Sequence, residues 1–299
     1  MNLENNKPLI LIVDDSPINI GFCKKILNKN GYNTDSCNCG EEALEYLEKN
    51  SPDLILLDIV MPGIDGYEFC EHIKNIPEMT DTPVIFLSAM DDEESIIKGF
   101  KCGGVDYITK PFRTQEMLAR TKTHIDLKRT KEQLLLMATT DVLTGLANRR
   151  FFMDRLSSEF ERVKRYESLY TIIMIDLDFF KKINDSFGHK GGDTVLEKVS
   201  QILSKGLRCT DIIGRIGGEE FAAILPETEI QHAIQIAERL RNAVENLQLE
   251  INGKAIKTTI SLGASQSNPL DREMDDGLIR ADTALYEAKE AGRNRVCSI

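Results

Sequence analysis

Short apolar runs closed by polar residues alternate with helix-like stretches along the first 110 or so positions of the chain. The helix-like stretches are Ile18–Asn28, Glu41–Lys49, Gly66–Asn75 and Glu93–Lys101. The apolar runs, each with the polar residues that close it, are Leu9–Val13 with Asp14 and Asp15, Leu54–Leu57 with Asp58, Val84–Leu87 with Ser88, and Tyr107–Thr109 with Lys110 and Pro111. This alternation predicts βαβ units and a parallel sheet in an α/β domain.

The polar residues that close these runs form a candidate site. Ligands of parallel α/β sheets bind at the carboxyl ends of the strands. Three carboxylates, Asp14, Asp15 and Asp58, gather there with Ser88 and Lys110. Clustered carboxylates repel one another unless a cation joins them, and Mg²⁺ prefers such oxygen ligands. The pattern therefore predicts one Mg²⁺ site in the first half.

In the second half, two apolar runs, Asp211–Ile216 and Phe221–Leu225, flank the sequence Gly217-Gly218-Glu219-Glu220. Paired turn residues between such runs predict a β-hairpin. Glycine tolerates positive φ and allows close approach to the backbone, and adjacent carboxylates suit a divalent metal. The hairpin alone leaves two interpretations open, an exposed acidic turn or a phosphate and metal site.

Other polar residues of the second half could complete such a site. The β-rich run Tyr170–Ile175 ends at Asp176, about forty residues before Glu219, and the two carboxylates could share a metal pair. Between them lie Asn184, Asp185 and Asp193, and an Asn with an Asp has the donors and acceptors that read a guanine edge. Near the end of the sequence, Lys289 and Arg293 offer cations for a triphosphate.

The segment from Pro111 to Thr140 contains no glycine and is rich in helix formers. It predicts a helix that runs from the first domain into the second, either as a stalk or as a plain solvated spacer. Its irregular apolar stripe comprises Met117, Leu118, Ile125, Leu127, Leu134 and Met137. We therefore expect a first domain over residues 1–125, a helical linker over 126–140 and a second domain over 141–299.

Charge and composition narrow the class of protein. The formal net charge is −11, which argues against a nucleic-acid binder. Residues 1–125 carry 12 Lys and Arg against 21 Asp and Glu, so the first domain is the acidic one. The seven scattered cysteines predict no disulfide framework, and Cys37 and Cys39 are too closely spaced for a zinc knuckle. The polar Met1–Pro8 and the lack of a run near ~20 apolar residues predict a cytoplasmic protein without membrane insertion.

With Met61-Pro62-Gly63 after Asp58, residues 7–125 resemble the receiver domain of two-component response regulators. The resemblance implies a doubly wound five-stranded parallel sheet, and it implies that Asp58 accepts a phosphoryl group from a histidine kinase or phosphotransfer protein. It implies that Asp14 and Asp15 hold Mg²⁺ with Asp58 and the Val60 carbonyl. Ser88 and Lys110 would contact the phosphoryl group, Tyr107 would be the ring that reorients, and Lys110-Pro111 is the family's usual cis peptide. A degenerate receiver that takes no phosphate is the alternative.

The second half resembles the GGDEF family of diguanylate cyclases, in its Glu-for-Asp form at Glu219. The motifs that carry the resemblance are Asp141–Arg150, Asp176–Asp185 with Phe187-Gly188-His189 and Gly192-Asp193, Gly217–Phe221, and Ala288-Lys289 with Gly292-Arg293-Asn294. The family's fold is an α/β domain like the palm of nucleotidyl cyclases and polymerases, with a mostly antiparallel sheet. Its activity is the condensation of two GTP into cyclic di-GMP and two pyrophosphates.

This second resemblance also implies roles. Asp176, Glu219 and the Leu177 carbonyl would bind two Mg²⁺, and Glu220 would support them as a further catalytic residue. Asn184 and Asp193 would bind guanine. Lys289 and Arg293 would hold phosphates beside the Gly217-Gly218 backbone. Arg208 and Asp211, with Arg239, match the family's inhibitory product site, and an exposed ion pair is the alternative.

A two-fold symmetric product made by domains with one GTP site each predicts a homodimer as the active form. We therefore expect a diguanylate cyclase activated by phosphorylation of Asp58, through dimerisation or realignment, and inhibited by its product. Two alternatives remain. One is a non-catalytic cyclic di-GMP receptor that uses Arg208 and Asp211, and the other is a cyclase with a mixed GMP–AMP product.

Overall fold

The computed structural model describes residues 7–89, 93–166, 168–251 and 253–299. Residues 1–6, part of the polar N-terminal segment considered above, lie outside the described residues. The chain divides into two compact units, with the division between Leu134 and Leu135. Within the described ranges, no helix has the length and apolar content needed to cross a bilayer.

The first unit alternates strands and helices around a parallel sheet. Its elements are β1 (Leu9–Val13), α1 (Pro17–Lys29), β2 (Asn33–Cys37), α2 (Gly40–Leu47), β3 (Leu54–Asp58), α3 (Gly66–Lys74), β4 (Val84–Ser88), α4 (Glu93–Lys101), β5 (Asp106–Thr109) and the start of α5 (Thr114–Thr139). The strand order is β2-β1-β3-β4-β5, and all pairs are parallel. Separate apolar clusters cover the two faces, which confirms the predicted doubly wound fold.

Strand β2 is absent from the apolar runs that predicted the sheet. Its sequence is polar, Asn-Thr-Asp-Ser-Cys, and only Cys37 is buried. It is an edge strand that pairs with β1 in the sheet order. An edge strand gains backbone hydrogen bonds without burying both of its faces, so it gives no apolar run in the sequence.

Helix α5 covers the segment predicted to be the linker. Its first half buries Met117, Thr121 and Ile125, each one helical turn after the last, against the first unit. Beyond them, Leu127, Leu134 and Met137 are 63%, 62% and 70% exposed. The stripe predicted from the sequence is thus split, with Met117 and Ile125 in a core and the later residues facing solvent.

The second unit is built on a mixed sheet. Its elements are β6 (Ala147–Asn148), α6 (Arg149–Tyr166), β7 (Tyr170–Leu177), α7 (Phe180–Lys205), β8 (Ile212–Arg215), β9 (Glu220–Pro226), α8 (Ile230–Glu245), β10 (Leu249–Ile251), β11 (Lys254–Ile256), β12 (Ile260–Gln266), α9 (Asp275–Glu290) and β13 (Val296–Ser298). The six-stranded order is β13-β12-β7-β9-β8-β6, antiparallel at its centre and parallel at both edges, and β10 pairs with β11 separately. This is the α/β fold with a mostly antiparallel sheet that the sequence predicted.

Alternate residues of the central strand β7 face two different cores. Ile173 and Ile175 pack with α7 and α8, while Ile172 and Met174 pack with α6 and α9. Because β7 is buried along its whole length, the polar residue Asp176 at its end is held firmly in place. On the neighbouring strand β12, a Cβ at Gly263 would clash with the backbone of Leu285, so glycine there lets α9 approach the sheet closely.

Candidate active site

In the first unit, the carboxyl ends of β1 and β3 bring Asp14 and Asp58 together. The side chain of Asp14 is fully buried and Asp58 is 6% exposed. Lys110, beyond the end of β5, donates through Nζ to Asp14 Oδ2 at 3.0 Å and to Asp58 Oδ2 at 2.7 Å. The exposed Asp15 completes a group of three carboxylates whose oxygens lie within 4.8 Å of one another. An all-oxygen cluster of this size fits one Mg²⁺.

The other residues predicted for this first site lie at the ends of β3 and β4 and on β5. Ser88 is buried at the end of β4, and the half-buried Tyr107 lies under the Arg120 guanidinium, 5.5 Å from the ring centroid. Both line a small cavity of about 10 Å³ with Phe86 and Gly99. The Lys110–Pro111 peptide is cis, as predicted. The Val60 side chain is exposed, and the role of its carbonyl as a metal ligand stays a prediction.

Burial raises the pKa of Asp58 above its usual range, although the Lys110 ammonium lowers it and Asp14 raises it further. The stabilisation linked to a raised pKa is complete below the unfolded value, about 3.9, and is lost as the pH rises through the folded value. At neutral pH the ionised Asp58 therefore destabilises the fold. A neutral isostere avoids this effect at every pH.

We therefore expect Asp58→Asn to raise the unfolding midpoint of the first unit at pH 7 in metal-free buffer. The difference from wild type should shrink as the pH falls through the raised pKa of Asp58, where the carboxyl takes up its proton. Thermal unfolding of the full chain at several pH values, with a chelator present, measures this difference. A lower midpoint for the variant at pH 7 would contradict the electrostatic argument.

In the second unit, β7 and β9 position the acidic residues. The two strands are antiparallel neighbours, and Asp176 on β7 lies opposite Glu220 on β9. The Leu177 amide donates to the Glu219 carbonyl at 3.3 Å, which fixes the turn before β9 to the end of β7. The hairpin predicted from the sequence is thus formed, and its turn lies beside Asp176.

Lys289 reaches this acidic pair from the last turn of α9. Its Nζ lies 2.8 Å from Asp176 Oδ2, and the Asp176 side chain is 8% exposed. Burial raises the pKa of Asp176, which the Lys289 ammonium partly opposes. Burial also raises the pKa of Glu219, and the Asp176 charge adds to this effect. Raised pKa values on neighbouring carboxylates indicate a site that gains from a further cation.

The donor set fits divalent metal binding. Asp176 and Glu219 supply hard carboxylate oxygens and Leu177 supplies a backbone carbonyl, which are ligands that Mg²⁺ prefers. Glu220 lies beside the turn, because a Cβ at Gly217 would clash with its carboxylate. Its charge raises the pKa of Asp176 as well. The four residues predicted for the metal site therefore lie around one end of the β7–β9 pair.

The two turn glycines leave room for neighbouring groups and do not adopt an unusual backbone conformation. Neither Gly217 nor Gly218 has a positive φ. A side chain at Gly217 would displace Glu220, whereas a Cβ at Gly218 would meet nothing within 4 Å. Close approach of a ligand to bare backbone is the use of glycine that fits Gly218.

Sequence reasoning missed the residue that holds this turn. The Arg215 guanidinium donates to the Gly218 carbonyl from Nε at 3.1 Å and from Nη2 at 2.7 Å. Its Nη1 also donates to Asp141 Oδ1 at 3.2 Å. Asp141 belongs to the first motif quoted from this half, but no sequence signal connects positions 74 residues apart. Arg215 thus links the entry of the second unit to the acidic turn.

We expect Arg215→Met, which keeps an apolar stem and removes the donors, to lower the stability of the second unit by about 1.5–3 kcal/mol. Urea unfolding of the full chain measures this loss of stability. Arg272→Met removes an exposed arginine of the same unit and is the matched control. Equal stability of the Arg215 and Arg272 variants would exclude this bracing role.

The predicted guanine readers lie on both sides of a kink in α7. Gly188 has φ 71° and ψ 172°, so the helix breaks there and resumes. A Cβ at Gly192 would clash with Asn184 Oδ1, so the Asn184 side chain lies directly against the start of the second segment. Asp193, the next residue, is exposed. The break thus brings Asn184 close to the backbone that carries Asp193.

The second predicted phosphate contact, Arg293, lies beyond the end of α9. Its guanidinium lies over the ring of Phe179, with 4.8 Å to the centroid. Phe179 has φ 56° and Arg293 has φ 63°, so both residues take left-handed conformations that non-glycine residues rarely adopt. The Phe179 ring, which is partly exposed, thus supports the Arg293 guanidinium beyond the helix that carries Lys289.

Asp178 anchors the segment beyond α9 that carries Arg293. It lies one residue beyond the end of β7. Its carboxylate accepts from Thr259 Oγ1 and Ser261 Oγ, each at 2.7 Å, and from the Asn294 backbone N–H at 3.1 Å. Because these three donors occupy the carboxylate, Asp178 serves structure while Asp176, two residues earlier, remains for ligands.

The predicted inhibitory residues also gather in one place, at the end of α7. Asp211 Oδ2 accepts from the Arg208 backbone N–H at 2.8 Å, so it closes a turn rather than pairing with the guanidinium. Arg239, on α8, donates to the carbonyl of Gly206 at 2.6 Å, two residues before Arg208. Arg208 and Arg239 are both exposed. Two arginines therefore flank one exposed turn.

These two sites, an acidic pocket on a doubly wound sheet and a carboxylate hairpin on a mixed sheet, define a two-domain signalling protein of the response-regulator class. The family model of the response regulator receiver domain matches residues 10–122. The model described as diguanylate cyclase, GGDEF domain, matches residues 138–295. The chain therefore belongs to the GGDEF family and carries a receiver domain before its GGDEF domain.

The relatives that this chain is similar to include a response regulator and a diguanylate cyclase. Response regulator PleD of Caulobacter vibrioides is 35% identical over 253 residues, which cover 82% of this chain and 56% of the relative. Diguanylate cyclase A of Treponema denticola is 44% identical over 169 residues, 55% of this chain and 45% of the relative. The chain thus spans about half the length of these relatives.

Solved structures match the second unit. The coiled coil and GGDEF domain of DgcB from Caulobacter crescentus, in complex with c-di-GMP, aligns with a TM-score of 0.57 and 30% identity, covering 62% of this chain and 98% of that one. The diguanylate cyclase SiaD of Pseudomonas aeruginosa, in complex with its activator SiaC, aligns with a TM-score of 0.53 and 36% identity, covering 62% and 72%.

Proposed function

We propose that this protein is a diguanylate cyclase that condenses two GTP molecules into cyclic di-GMP and two pyrophosphates. The observation that carries the proposal is the meeting of Asp176, Glu219 and Lys289 at one end of the central strand pair. Two carboxylates and a lysine in this arrangement provide both metal ligands and a phosphate contact. The relatives named as diguanylate cyclases support the same activity.

The substrate is GTP, held at its two ends. Asp193 accepts from the guanine N1–H and N2–H₂ groups, and Asn184 contacts O6 or N3. Lys289 and Arg293 contact the phosphates, and the open space at Gly218 lets a phosphate approach the turn. Because Asp193 is an acceptor, adenine, which lacks both of those donors, binds less well.

The reaction is a phosphoryl transfer in which the 3′-hydroxyl of one GTP attacks the α-phosphorus of the other. Two Mg²⁺ ions held by Asp176, Glu219 and the Leu177 carbonyl would neutralise charge on the transferring group. Lys289 and Arg293 orient the phosphates, while Arg215 keeps the turn that carries Glu219 in place. Glu220 adds negative charge beside the metal ligands and helps to hold the cations.

Each domain has one candidate GTP site, so the active form is a two-fold homodimer in which two sites face each other. The exposed apolar residues Leu127, Leu134 and Met137 of α5 give the helix a face that a second α5 can cover. Phosphorylation of Asp58 by a histidine kinase or phosphotransfer protein changes the receiver and, through α5, brings the two sites together or realigns them. We place this activity in the cytoplasm.

Cyclic di-GMP inhibits the enzyme at the turn between Arg208 and Asp211, with Arg239 beside it. The two exposed arginines can each donate two parallel hydrogen bonds to phosphate or guanine. We expect Arg208→Ala to relieve product inhibition and to leave the initial rate near normal. Progress curves with added cyclic di-GMP measure this effect, and Lys205→Ala, which removes a neighbouring exposed cation, is the control. Unchanged inhibition in the Arg208 variant would exclude the site.

One assay tests the activity itself. Purified full-length protein is incubated with GTP, ATP or both, with Mg²⁺, with and without acetyl phosphate, and the products are identified by mass. Cyclic di-GMP from GTP alone supports the proposal. A mixed GMP–AMP dinucleotide would identify a different cyclase. Binding of cyclic di-GMP without turnover under every condition would identify a receptor instead.

A further inference from the structure

A groove opens in the second unit between the first turns of α7 and residues 255–259, which lead from β11 to β12. Its volume is about 330 Å³, which is within the range of small-molecule sites. Phe179 and Phe187 contribute aromatic rings, and Lys182 and Lys257 contribute exposed cations. The groove therefore combines apolar surface with positive charge.

This groove is separate from the sites predicted from the sequence. The predicted guanine readers Asn184 and Asp193 are not among its lining residues. Asn184 follows Lys182 by two positions, and residues two apart point to different sides of a helix. The predicted inhibitory residues Arg208 and Asp211 lie beyond the other end of α7. The groove thus occupies a side of α7 that has no predicted role.

The positive charge of the groove is not compensated inside it. Asp178 is its one lining carboxylate, and its oxygens already accept from the Thr259 and Ser261 hydroxyls and from the Asn294 backbone N–H. Neither lysine of the groove forms an ion pair with a carboxylate in the part of the chain that the structure describes. An anion placed between the two ammonium groups would supply the missing charge.

The ring of Phe179 is held at the groove by an unusual backbone conformation. Phe179 has φ 56°, in the left-handed region, and it is 52% exposed. Lys182 Nζ lies 4.5 Å from the centroid of its ring, and the Arg293 guanidinium lies 4.8 Å from it. Strained residues of this kind occur at ligand-binding positions. The ring joins a lysine of the groove to the predicted phosphate contact.

A buried hydroxyl group also lines the groove. Thr258 is 4% exposed, and its hydroxyl has no hydrogen-bond partner among the described residues. A buried hydroxyl without a partner is unfavourable, and a ligand that bonds to it would remove that cost. Ser186 adds an exposed hydroxyl to the same lining. The groove therefore offers neutral polar groups beside its cations.

We propose that this groove is a second nucleotide-binding site, which holds a nucleoside 5′-phosphate. Lys182 and Lys257 donate charge-assisted hydrogen bonds to the phosphate. The base stacks on the Phe187 ring and packs against Ile183 and Ile256. An inorganic anion would leave the apolar surface uncovered, and an uncharged aromatic compound would leave the lysines unpaired. The inference depends on the groove alone and not on cyclase activity.

The test is a titration of the full-length protein with AMP, followed by NMR of isoleucine methyl groups. We expect saturable shifts at Ile183 and Ile256, and none at the isoleucines of the first unit. Lys182→Ala and Lys257→Ala should each weaken AMP binding by about tenfold, because each removes one charged donor. Lys254→Ala changes an exposed lysine outside the groove and should bind AMP as wild type does.

Three further arms identify the site and the ligand class. Asp193→Ala alters the predicted GTP site and should leave the affinity for AMP unchanged. Inorganic phosphate alone and adenosine alone should each bind at least about tenfold more weakly than AMP, since each makes only part of the contacts. Loss of AMP binding in the Asp193 variant, or unchanged affinity in both groove variants, would overturn the site. Affinity for phosphate or adenosine equal to that for AMP would overturn the nucleotide assignment.

Discussion

Replacing Glu219 by Gln is expected to reduce GTP turnover by on the order of 10³-fold. The amide keeps the size of the side chain but removes its negative charge. Of the two carboxylates predicted to bind metal, only Asp176 then remains. Its ion pair with Lys289 competes with metal binding. Weak metal binding leaves the charge on the transferring phosphoryl group without compensation.

The same change should leave the fold intact, and this separates chemistry from stability. Burial and the Asp176 charge raise the pKa of Glu219, so the ionised form is disfavoured in the metal-free fold and a neutral residue is tolerated. Initial rates at several Mg²⁺ concentrations, together with thermal unfolding, measure the two properties. Glu229→Gln alters an exposed glutamate whose side chain caps no helix and is the matched control. Turnover within a factor of ten of wild type would remove Glu219 from the metal site.

The ends of the strands could be predicted from the sequence more accurately than the contacts between side chains at those ends. Buried strands such as β3 and β7 are continuous apolar runs, so the positions of Asp58 and Asp176 could be read directly from the pattern. Strand β2 escaped detection because its stability comes from pairing with β1 rather than from burial. Edge strands of this kind carry no periodic signal.

The residues that support the site were harder to predict from the sequence than the strands. Arg215 appears in the sequence as one more cation before the hairpin, and only the fold reveals its hydrogen bonds to Gly218 and Asp141. Asp178 was quoted in a motif, but its hydrogen bonds come from Thr259, Ser261 and Asn294, which are distant in sequence. Local patterns predict elements, whereas such supports arise from long-range packing.

Asp58→Asn is expected to abolish stimulation of GTP turnover by acetyl phosphate, so that the ratio of rates with and without the phosphodonor falls to about one. Asn lacks the carboxylate nucleophile that attacks phosphorus. Its amide oxygen still accepts a hydrogen bond from Lys110, so the local contacts persist. The affinity for GTP should not change, because Asp58 belongs to the first compact unit and the GTP residues belong to the second.

The experiment compares the mass of the intact protein and the GTP turnover rate before and after acetyl phosphate. Wild type should gain one phosphoryl group and an increased rate, whereas the Asp58→Asn protein should gain neither. Asp81→Asn changes an exposed aspartate whose partner is Lys131 at the surface, and it should respond as wild type does. Equal stimulation of the Asp58 variant and wild type would mean that the receiver controls the cyclase without this carboxylate. Loss of basal turnover in the variant would mean that the Asp58 charge maintains the receiver structure, against the tolerance of a neutral residue that its raised pKa predicts.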